Sequence, residues 1–373
     1  MNLKNYKTVT DRRKALEKEL NIHVKNVGSF SLNETIASSK NCENMIGATQ
    51  IPLGIAGPLK IGKKEYYLPL ATTEGALVAS VNRGCKAITM SGGAAVDSQR
   101  VGATRGPVFK VNNLSESKKL GEFLSTHFKE LKKITEGTSH HLTLKNITSR
   151  GVGKYRYVRF VYDTQDAMGM NMVTIATTAA CEFIEKETGA TCVSVAGNFD
   201  IDKKPAWLNS IDGRGIQVWA EVTIPEKILS DVLKTTAKTI YEVWLAKCMI
   251  GSALSGSLGF NAQFANIIAA LFLATGQDLG HVGEGSMGIT TAEIIHEKDL
   301  YISVYLPDLM VGTVGGGTGL ATQKEALSIL GVTKSQELAE IVAGAVLAGE
   351  ISLLSSLEEG SLARAHVTYG RNR

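Results

Sequence analysis

Residues 141–164, HLTLKNITSRGVGKYRYVRFVYDT, decide how the fold is read. HLTLKNIT alternates apolar and polar side chains, GVG supplies a turn, and YRYVRFVYDT alternates again over a longer run. Period-two alternation on both sides of a glycine turn predicts a β-hairpin. Upstream, PVFKVN from Pro107 reads as a strand and LSESKKLGEFLSTHFKELKKI as an amphipathic helix. Downstream, MNMVTIATTAACEFIEKET is a helical run and TCVSVAG a closing strand. The order β-α-β-β-α-β is that of a ferredoxin-like split-βαβ unit, expected at residues 107–195.

That unit interrupts a larger one. Residues 1–45 read as polar and helical. IPLGIAGP leads into LKIGKKEYYLPL, a strand, turn, strand pattern, and then into ATTEGALVASVNRGCKAI, residues 71–88, a helix. SGGAAVDSQRVGATRGP follows as a polar, glycine-containing connection carrying Arg100 and Arg105. After residue 195 come the loop NFDIDKKPAWLNSIDGRG, the strand GIQVWAEVTI and one long helix from Pro225 to about Ala253. A nearly all-apolar helix, the strand YISVYLPDL, the glycine run GTVGGGTG and two helices complete the order. The expected class is α+β, in three parts. A small N-terminal helical unit spans 1–45, a large mixed α/β domain combines 46–106 with 196–373, and the inserted small domain spans 107–195.

A chain of 373 residues exceeds what one hydrophobic core organises, and 44% hydrophobic with 20% charged residues describes a globular protein. The net charge of +4 is mild and its lysines are dispersed, which argues against nucleic acid. The first twenty residues lack the apolar centre of a signal peptide, and the longest apolar run, Ile267 to Thr275, is short of a membrane span. The five cysteines are scattered without a C-x-x-C pair, which predicts reduced thiols in a cytoplasm and neither a disulfide framework nor a metal site.

Several stretches admit both a packing and a chemical reading. In residues 71–88, Thr72 and Thr73 are N-cap types, and Leu77, Val81, Cys85 and Ile88 form a core stripe. Ala76, Ser80, Arg83 and Ala87 form a small-residue stripe with one arginine, suited to close packing or to a phosphate-bearing ligand. Glu74 stands at the mouth of that helix. In DAMGMN, residues 166–171, a glycine turn at a helix start suits a pyrophosphate, with Asp166 accepting from a ribose hydroxyl; an ordinary turn is the alternative. Gly312 to Gly319 fits phosphate approach or tight helix packing. GHVGEGSMG, residues 280–288, reads as a long loop. Lys203 and Lys204 are either solvated loop lysines or groups that polarise a carbonyl oxygen. Asp278, at the C-terminal end of a buried helix, opposes the helix dipole unless a cation meets it. His366 is either a proton donor or an incidental tail residue.

Taken together, ENMIGATQIPLGIAGPL, ATTEGALVASVNRGCKAI, DAMGMNM, GNFDIDKKPAWLNSIDGRG, GQD and GTVGGGT resemble the 3-hydroxy-3-methylglutaryl-coenzyme A (HMG-CoA) reductases, over about Tyr6 to Arg373. The C-terminal His with its short tail is similar to the class I branch, here without a membrane anchor. The resemblance implies a four-electron reduction of HMG-CoA to mevalonate and free coenzyme A with two NADPH, the committed step of isoprenoid biosynthesis by the mevalonate pathway. It implies that Glu74 protonates the carbonyl oxygen at the aldehyde stage and that Lys203 stabilises the hemithioacetal oxyanion. Asp278 would couple to both, and His366 would protonate the departing thiolate. Arg105, Lys204 and Lys247 match positions that hold the hydroxymethylglutaryl carboxylate, and Asn266 a polar contact near the reacting carbon. Ser80, Asn82, Arg83 and Lys234 match coenzyme A contacts. Asp166, Ala167, Met168, Gly169, Met170 and Asn171 match the dinucleotide site, with Gly315, Gly316, Ser139 and His140 as further cofactor positions.

Family members place the active site between two chains, so a homodimer or dimer-based tetramer is implied, with no nucleic acid, membrane or metal partner. Glu74 must be protonated to act as an acid, so a neighbouring Asp278 is expected to hold its pKa up. Three departures stand out. Ser139-His140-His141 replaces the Ser-Arg-Phe of NADPH-using members, which opens NADH as a second cofactor. Ala196 replaces a substrate-contacting Ser, and the N-terminal unit that meets the coenzyme A adenine is short. Asn372 stands where regulated members carry a phosphorylatable Ser. The rival readings are an NAD-dependent mevalonate-oxidising enzyme of the class II type and a silent coenzyme A-binding module.

Overall fold

In the computed structural model, which describes residues 3–358, ten strands form among the described residues. They are β1 (Leu53–Ile61), β2 (Lys64–Ala71), β3 (Ala95–Arg105), β4 (Val108–Lys110), β5 (Thr143–Val152), β6 (Tyr155–Asp163), β7 (Thr191–Ser194), β8 (Arg214–Ile224), β9 (Ile289–Ile295) and β10 (Asp299–Leu309). β1 and β2 pair as a separate hairpin; the other eight form one sheet ordered β7-β4-β6-β3-β8-β10-β9, with β5 on β6. Every pairing in that sheet is antiparallel.

The hairpin predicted from residues 141–164 is β5–β6, closed around Gly153 at φ 57°. β4, β5, β6 and β7 stand with the helices Leu114–Thr126, Phe128–Glu136 and Met170–Thr188 around a core of Phe109, Leu131, Phe160, Tyr162, Val173 and Ile184. That is the expected β-α-β-β-α-β order, with the first helix split in two at His127.

The expected polar connection over 91–107 is instead mostly strand β3, and β3 is the joint of the molecule. Ala95 to Arg100 pair with β8, and Ala103 to Arg105 pair with β6. The register shifts at Gly102, whose φ of 123° and whose Cβ position, 2.4 Å from the Tyr162 carbonyl oxygen, admit only glycine. Its first half carries Asp97, Ser98, Gln99 and Arg100 on a partly exposed strand, so no apolar alternation announced it.

A larger core gathers β1, β2, β8, β9, β10 and the helices Leu77–Met90, Phe264–Thr275 and Ser335–Glu358. The last helix is long and apolar enough to cross a membrane by composition, but 89% of that window is buried inside the protein. A third, small core of Val9, Ala37 and Met45 belongs to the helices Val9–Leu20 and Glu34–Lys40.

Three local expectations are corrected. The helix of residues 71–88 starts at Leu77, not after Thr73: its N-cap is Ala76 at φ 74°, without a side-chain cap, and Thr72 Oγ1 accepts from the Glu74 N–H in the preceding turn. The long helix from Pro225 is broken at Lys234, which turns at φ 58°; Thr236 caps a new helix, Ala237–Trp244, and π turns occupy Leu229–Leu233 and Leu245–Gly251. Residues 280–288 are not one loop: a 3-10 turn, Leu279–His281, runs into a short helix, Val282–Gly285.

Candidate active site

The loop after β7 is held by three arginines from three strands. Arg105 of β3 meets Asp200 Oδ2 at 3.1 Å and Asp202 Oδ2 at 3.7 Å. Arg159 of β6 donates to Asn209 Oδ1 at 3.1 Å and to the Gly213 carbonyl at 3.0 Å. Arg214 of β8 has no exposed surface; it pairs with buried Glu284 and donates to Asp202 Oδ1 at 2.9 Å. Such anchoring sustains a strained path, since Asn198, Ile201 and Lys203 all have positive φ, an unfavourable region for side chains with a Cβ.

At the end of that path the Lys203 N–H donates to Glu284 Oε2 at 2.7 Å, and its ammonium reaches Asp278 Oδ2 at 2.7 Å. Gly280 lets the lysine stem cross, because a Cβ there would lie 2.8 Å from Lys203 Cδ. Asp278 does not sit on the C-terminal turn of the buried helix, as the sequence suggested. That helix ends at Thr275 with Gly276 as its C-cap, and Asp278 caps the following 3-10 turn through the Gly280 N–H. Burial pushes the Asp278 carboxyl up, but the Lys203 ammonium, the Gly280 N–H and His281 outweigh it and hold the group below the usual Asp range. A carboxyl held down in this way accepts the proton of the Lys203 ammonium poorly. Glu74 is exposed in its turn and, among the described residues, makes no ion pair with Lys203.

Behind this pair lies a buried network that sequence reasoning missed: His281, Glu284, Arg214, Arg159 and Asp308. The available signal was spacing, since Asp278, His281 and Glu284 recur every third residue. Asp202, His281 and Glu284 offer ligand atoms within 4.8 Å of one another, but the Arg214 guanidinium already supplies positive charge to two of them.

The glycine-rich stretches converge from the other side. Gly169, at φ 86°, starts the helix Met170–Thr188, and a Cβ on it would strike the Thr164 side chain at 2.4 Å. The Thr313 N–H donates to the Asp166 carbonyl at 2.8 Å, and Ala167 bridges Val314. Gln277, beside Asp278, exchanges two hydrogen bonds with Gly312, at 2.9 and 3.0 Å. Gly317 packs on Gly276, whereas Gly315 and Gly316 face open space at φ 80° and 54°. Met168 packs beside the small core, and Asn171 is exposed. The helix also touches two of the anchoring arginines: Arg105 donates to Thr174 Oγ1 at 2.7 Å, and Arg214 to Met170 Sδ at 3.2 Å.

Asp166 is engaged within the chain. Its carboxylate accepts from Lys334 Nζ and the Ser335 N–H, each at 2.9 Å, and so caps the helix Ser335–Glu358. Ser139 Oγ accepts from the His141 N–H at 3.2 Å, and His141, not His140, contacts Gln165 beside Asp166, at 3.2 Å.

The matched coenzyme A residues are partly engaged within the chain. Ser80 donates to Ser352 Oγ at 3.0 Å, Arg83 to the Ser352 carbonyl at 2.6 Å, and Asn82 Oδ1 accepts from the Gly57 N–H at 3.0 Å. The small stripe of that helix therefore seats the Ser335–Glu358 helix, the packing alternative of its two readings. Lys204, Lys234 and Lys247 are exposed, and Asn266 Nδ2 lies 3.3 Å from Gln263 Oε1. Lys247 lines a cleft with Pro205, Asn261, Gly283 and Met287, one wall of which is the Lys203 loop. His366 lies outside the described residues.

Sequence comparison decides the family. The hydroxymethylglutaryl-coenzyme A reductase model matches residues 8–371.

The chain belongs to the HMG-CoA reductase family.

It is 52% identical to the 3-hydroxy-3-methylglutaryl-coenzyme A reductase of Methanocaldococcus jannaschii, with 96% of this chain and 92% of that protein covered. The Methanothermobacter thermautotrophicus reductase is 50% identical at the same coverage. The fold matches the class II reductase of Streptococcus pneumoniae, solved bound to NADPH in open conformations, with a TM-score of 0.74 at 18% identity over 95% of this chain and 98% of that one. The α+β class expected from the hairpin and its flanks is the class of this family, and the enzyme is an oxidoreductase that reduces HMG-CoA.

Proposed function

We propose that Lys203 and Asp278, with Glu74 and His366, carry the NADPH-dependent reduction of HMG-CoA to mevalonate and free coenzyme A. The first hydride adds to the thioester carbonyl carbon, and the Lys203 ammonium balances the oxyanion of the hemithioacetal. Loss of the coenzyme A thiolate, protonated by His366, leaves mevaldehyde. The second hydride and a proton from Glu74 give mevalonate, four electrons in all. Asp278 orients Lys203 and keeps it charged. The observation that carries this reading is the 2.7 Å Lys203–Asp278 contact, joined through Gln277, Gly312 and Thr313 to the start of the Met170–Thr188 helix. A preorganised cation at a partly desolvated site is the usual means of stabilising a developing oxyanion.

The helix N-terminus at Gly169 and the exposed glycines Gly315 and Gly316 are suited to the NADPH pyrophosphate. Arg105, Lys204 and Lys247 supply positive charge for the acyl carboxylate, and Lys234 for coenzyme A phosphate. The division into residues 1–45, 46–106 with 196–373, and 107–195 is part of this reading, supported by three separate hydrophobic cores. A homodimer is a further part. Trp207, Ile211, Ile250 and Leu254 are exposed around the Lys203–Lys247 cleft, and Glu74 makes no ion pair with Lys203 in one chain. Cytoplasmic location rests on five free thiols.

The test follows HMG-CoA-dependent cofactor oxidation with NADPH and NADH side by side. Two NADPH consumed per mevalonate formed supports the reading, and no oxidation with either cofactor overturns it. Mixing Glu74→Gln with Asp278→Asn chains tests the dimer: recovered turnover supports a site completed by a second chain.

A further inference from the structure

His281 has no exposed surface and stands between the Lys203–Asp278 pair and the buried charges behind it. Its Nδ1 bonds Glu284 of the short helix, with Arg214 Nη1 of β8 3.5 Å away. Its Nε2 faces Asp278 Oδ2 at 3.6 Å, on its own turn, and Asp202 Oδ1 at 3.9 Å, on the arginine-anchored loop. That Nε2 is fully buried and, among the described residues, has no hydrogen-bond partner.

A neutral imidazole donates from one nitrogen and carries a lone pair on the other. Here either neutral tautomer aims its lone pair at a carboxylate, Glu284 on one side or Asp278 and Asp202 on the other. Only the doubly protonated ring donates on both sides.

We infer that His281 is a positioning residue for the reduction: its imidazolium, clamped by Glu284, presents Nε2–H to Asp278 from the buried side and holds that carboxylate ionised and turned toward Lys203. It touches no substrate and acts only through Asp278. The inference rests on the reading that Lys203 and Asp278 carry the chemistry.

The test is a double-mutant cycle between His281→Gln and Asp278→Asn, with thermal melts as a folding control. His281→Gln keeps a neutral donor; kcat should fall roughly 10-fold with KM for HMG-CoA unchanged within about 2-fold. Added to Asp278→Asn, it should cost less than about 2-fold more, because groups acting as a unit are not additive. An additive loss, or a folded His281→Gln enzyme with full kcat, overturns the inference alone. Near-normal turnover of Asp278→Asn overturns the reading of the site and the inference with it. Should His281→Gln not fold, 15N-histidine spectra of the wild-type enzyme decide. One ring protonated on both nitrogens at neutral pH, and shifted by Asp278→Asn, supports the inference; no such ring overturns it.

Discussion

The carbonyl oxygen of Ala348 lies against the α-carbon of Gly84, so that a Cβ built on Gly84 would come within 1.9 Å of it. The two helices, Leu77–Met90 and Ser335–Glu358, thus meet backbone to backbone. Ser80 and Arg83, one turn and one residue before Gly84, fasten them to Ser352. Because neither backbone yields, Gly84→Ala should destabilise the enzyme by about 1–3 kcal/mol or more, as overpacked cores do. Denaturant unfolding checks it, and an unchanged midpoint would mean the helices are not in contact here.

Asp278→Asn should leave the fold intact and lower turnover at least ~100-fold, the size of a lost proton-transfer or charge-orienting group. The folded pKa of Asp278 is depressed. Its stabilising contribution is therefore present above the ordinary Asp value of about 3.9 and is lost as pH falls through the folded value. The Asn variant should show a shallower acid limb in a melt-versus-pH series; identical limbs would argue that the pair contributes nothing to folding.

Asp166 is tested by separating stability from cofactor affinity. Because its carboxylate caps the Ser335–Glu358 helix, Asp166→Ala should cost about 1 kcal/mol of stability even without cofactor. Burial pushes Asp166 up, but the Ser335 N–H and Lys334 outweigh it and leave it lowered, so this contribution too fades in acid. A variant of unchanged stability with a raised KM for NADPH would return Asp166 to the ribose role.

Asp308 runs the other way. It has no exposed surface, its Oδ2 accepts from Asn209 at 2.6 Å, and its Oδ1 has no partner among the described residues. Burial first, and then Glu284, push its pKa well above the usual range. With a raised folded pKa, the stability it confers is complete below the unfolded value and is lost as pH rises through the folded one. Asp308→Asn, a neutral isostere, should match or exceed wild-type stability at pH 7, with a gain that grows toward alkaline pH. A loss beyond about 1 kcal/mol at pH 7 would show instead that Arg214 and Arg159 need an ionised partner there.

His366→Gln should impair reduction of HMG-CoA far more than reduction of free mevaldehyde, which releases no thiolate. Parallel steady-state assays decide, and equal losses on both substrates would remove the thiolate-protonation role.

Alternating and helical apolar periodicity was enough to place the β5–β6 hairpin, the 170–188 helix and the α+β class, because those elements are built around one buried face each. The family motifs likewise named Lys203 and Asp278 together, although nothing in either local stretch pairs them. β3 escaped because a strand whose first half carries polar residues on a partly exposed path shows no alternation. The split of the 225–253 helix escaped because its trigger is a left-handed Lys234, not a proline or glycine.

The sequence by itself determined which elements form, because local periodicity and caps act over a few residues. It also determined the family, because whole motifs are strings. Only the tertiary structure decided what each polar side chain bonds to. Arg83 met serines of the terminal helix, Asp166 met the start of that same helix, and His281 met three carboxylates, because the partners lie tens to hundreds of residues away or on a turn whose direction no local pattern records. Electrostatic roles are set by distance and burial, and both exist only once the chain has folded.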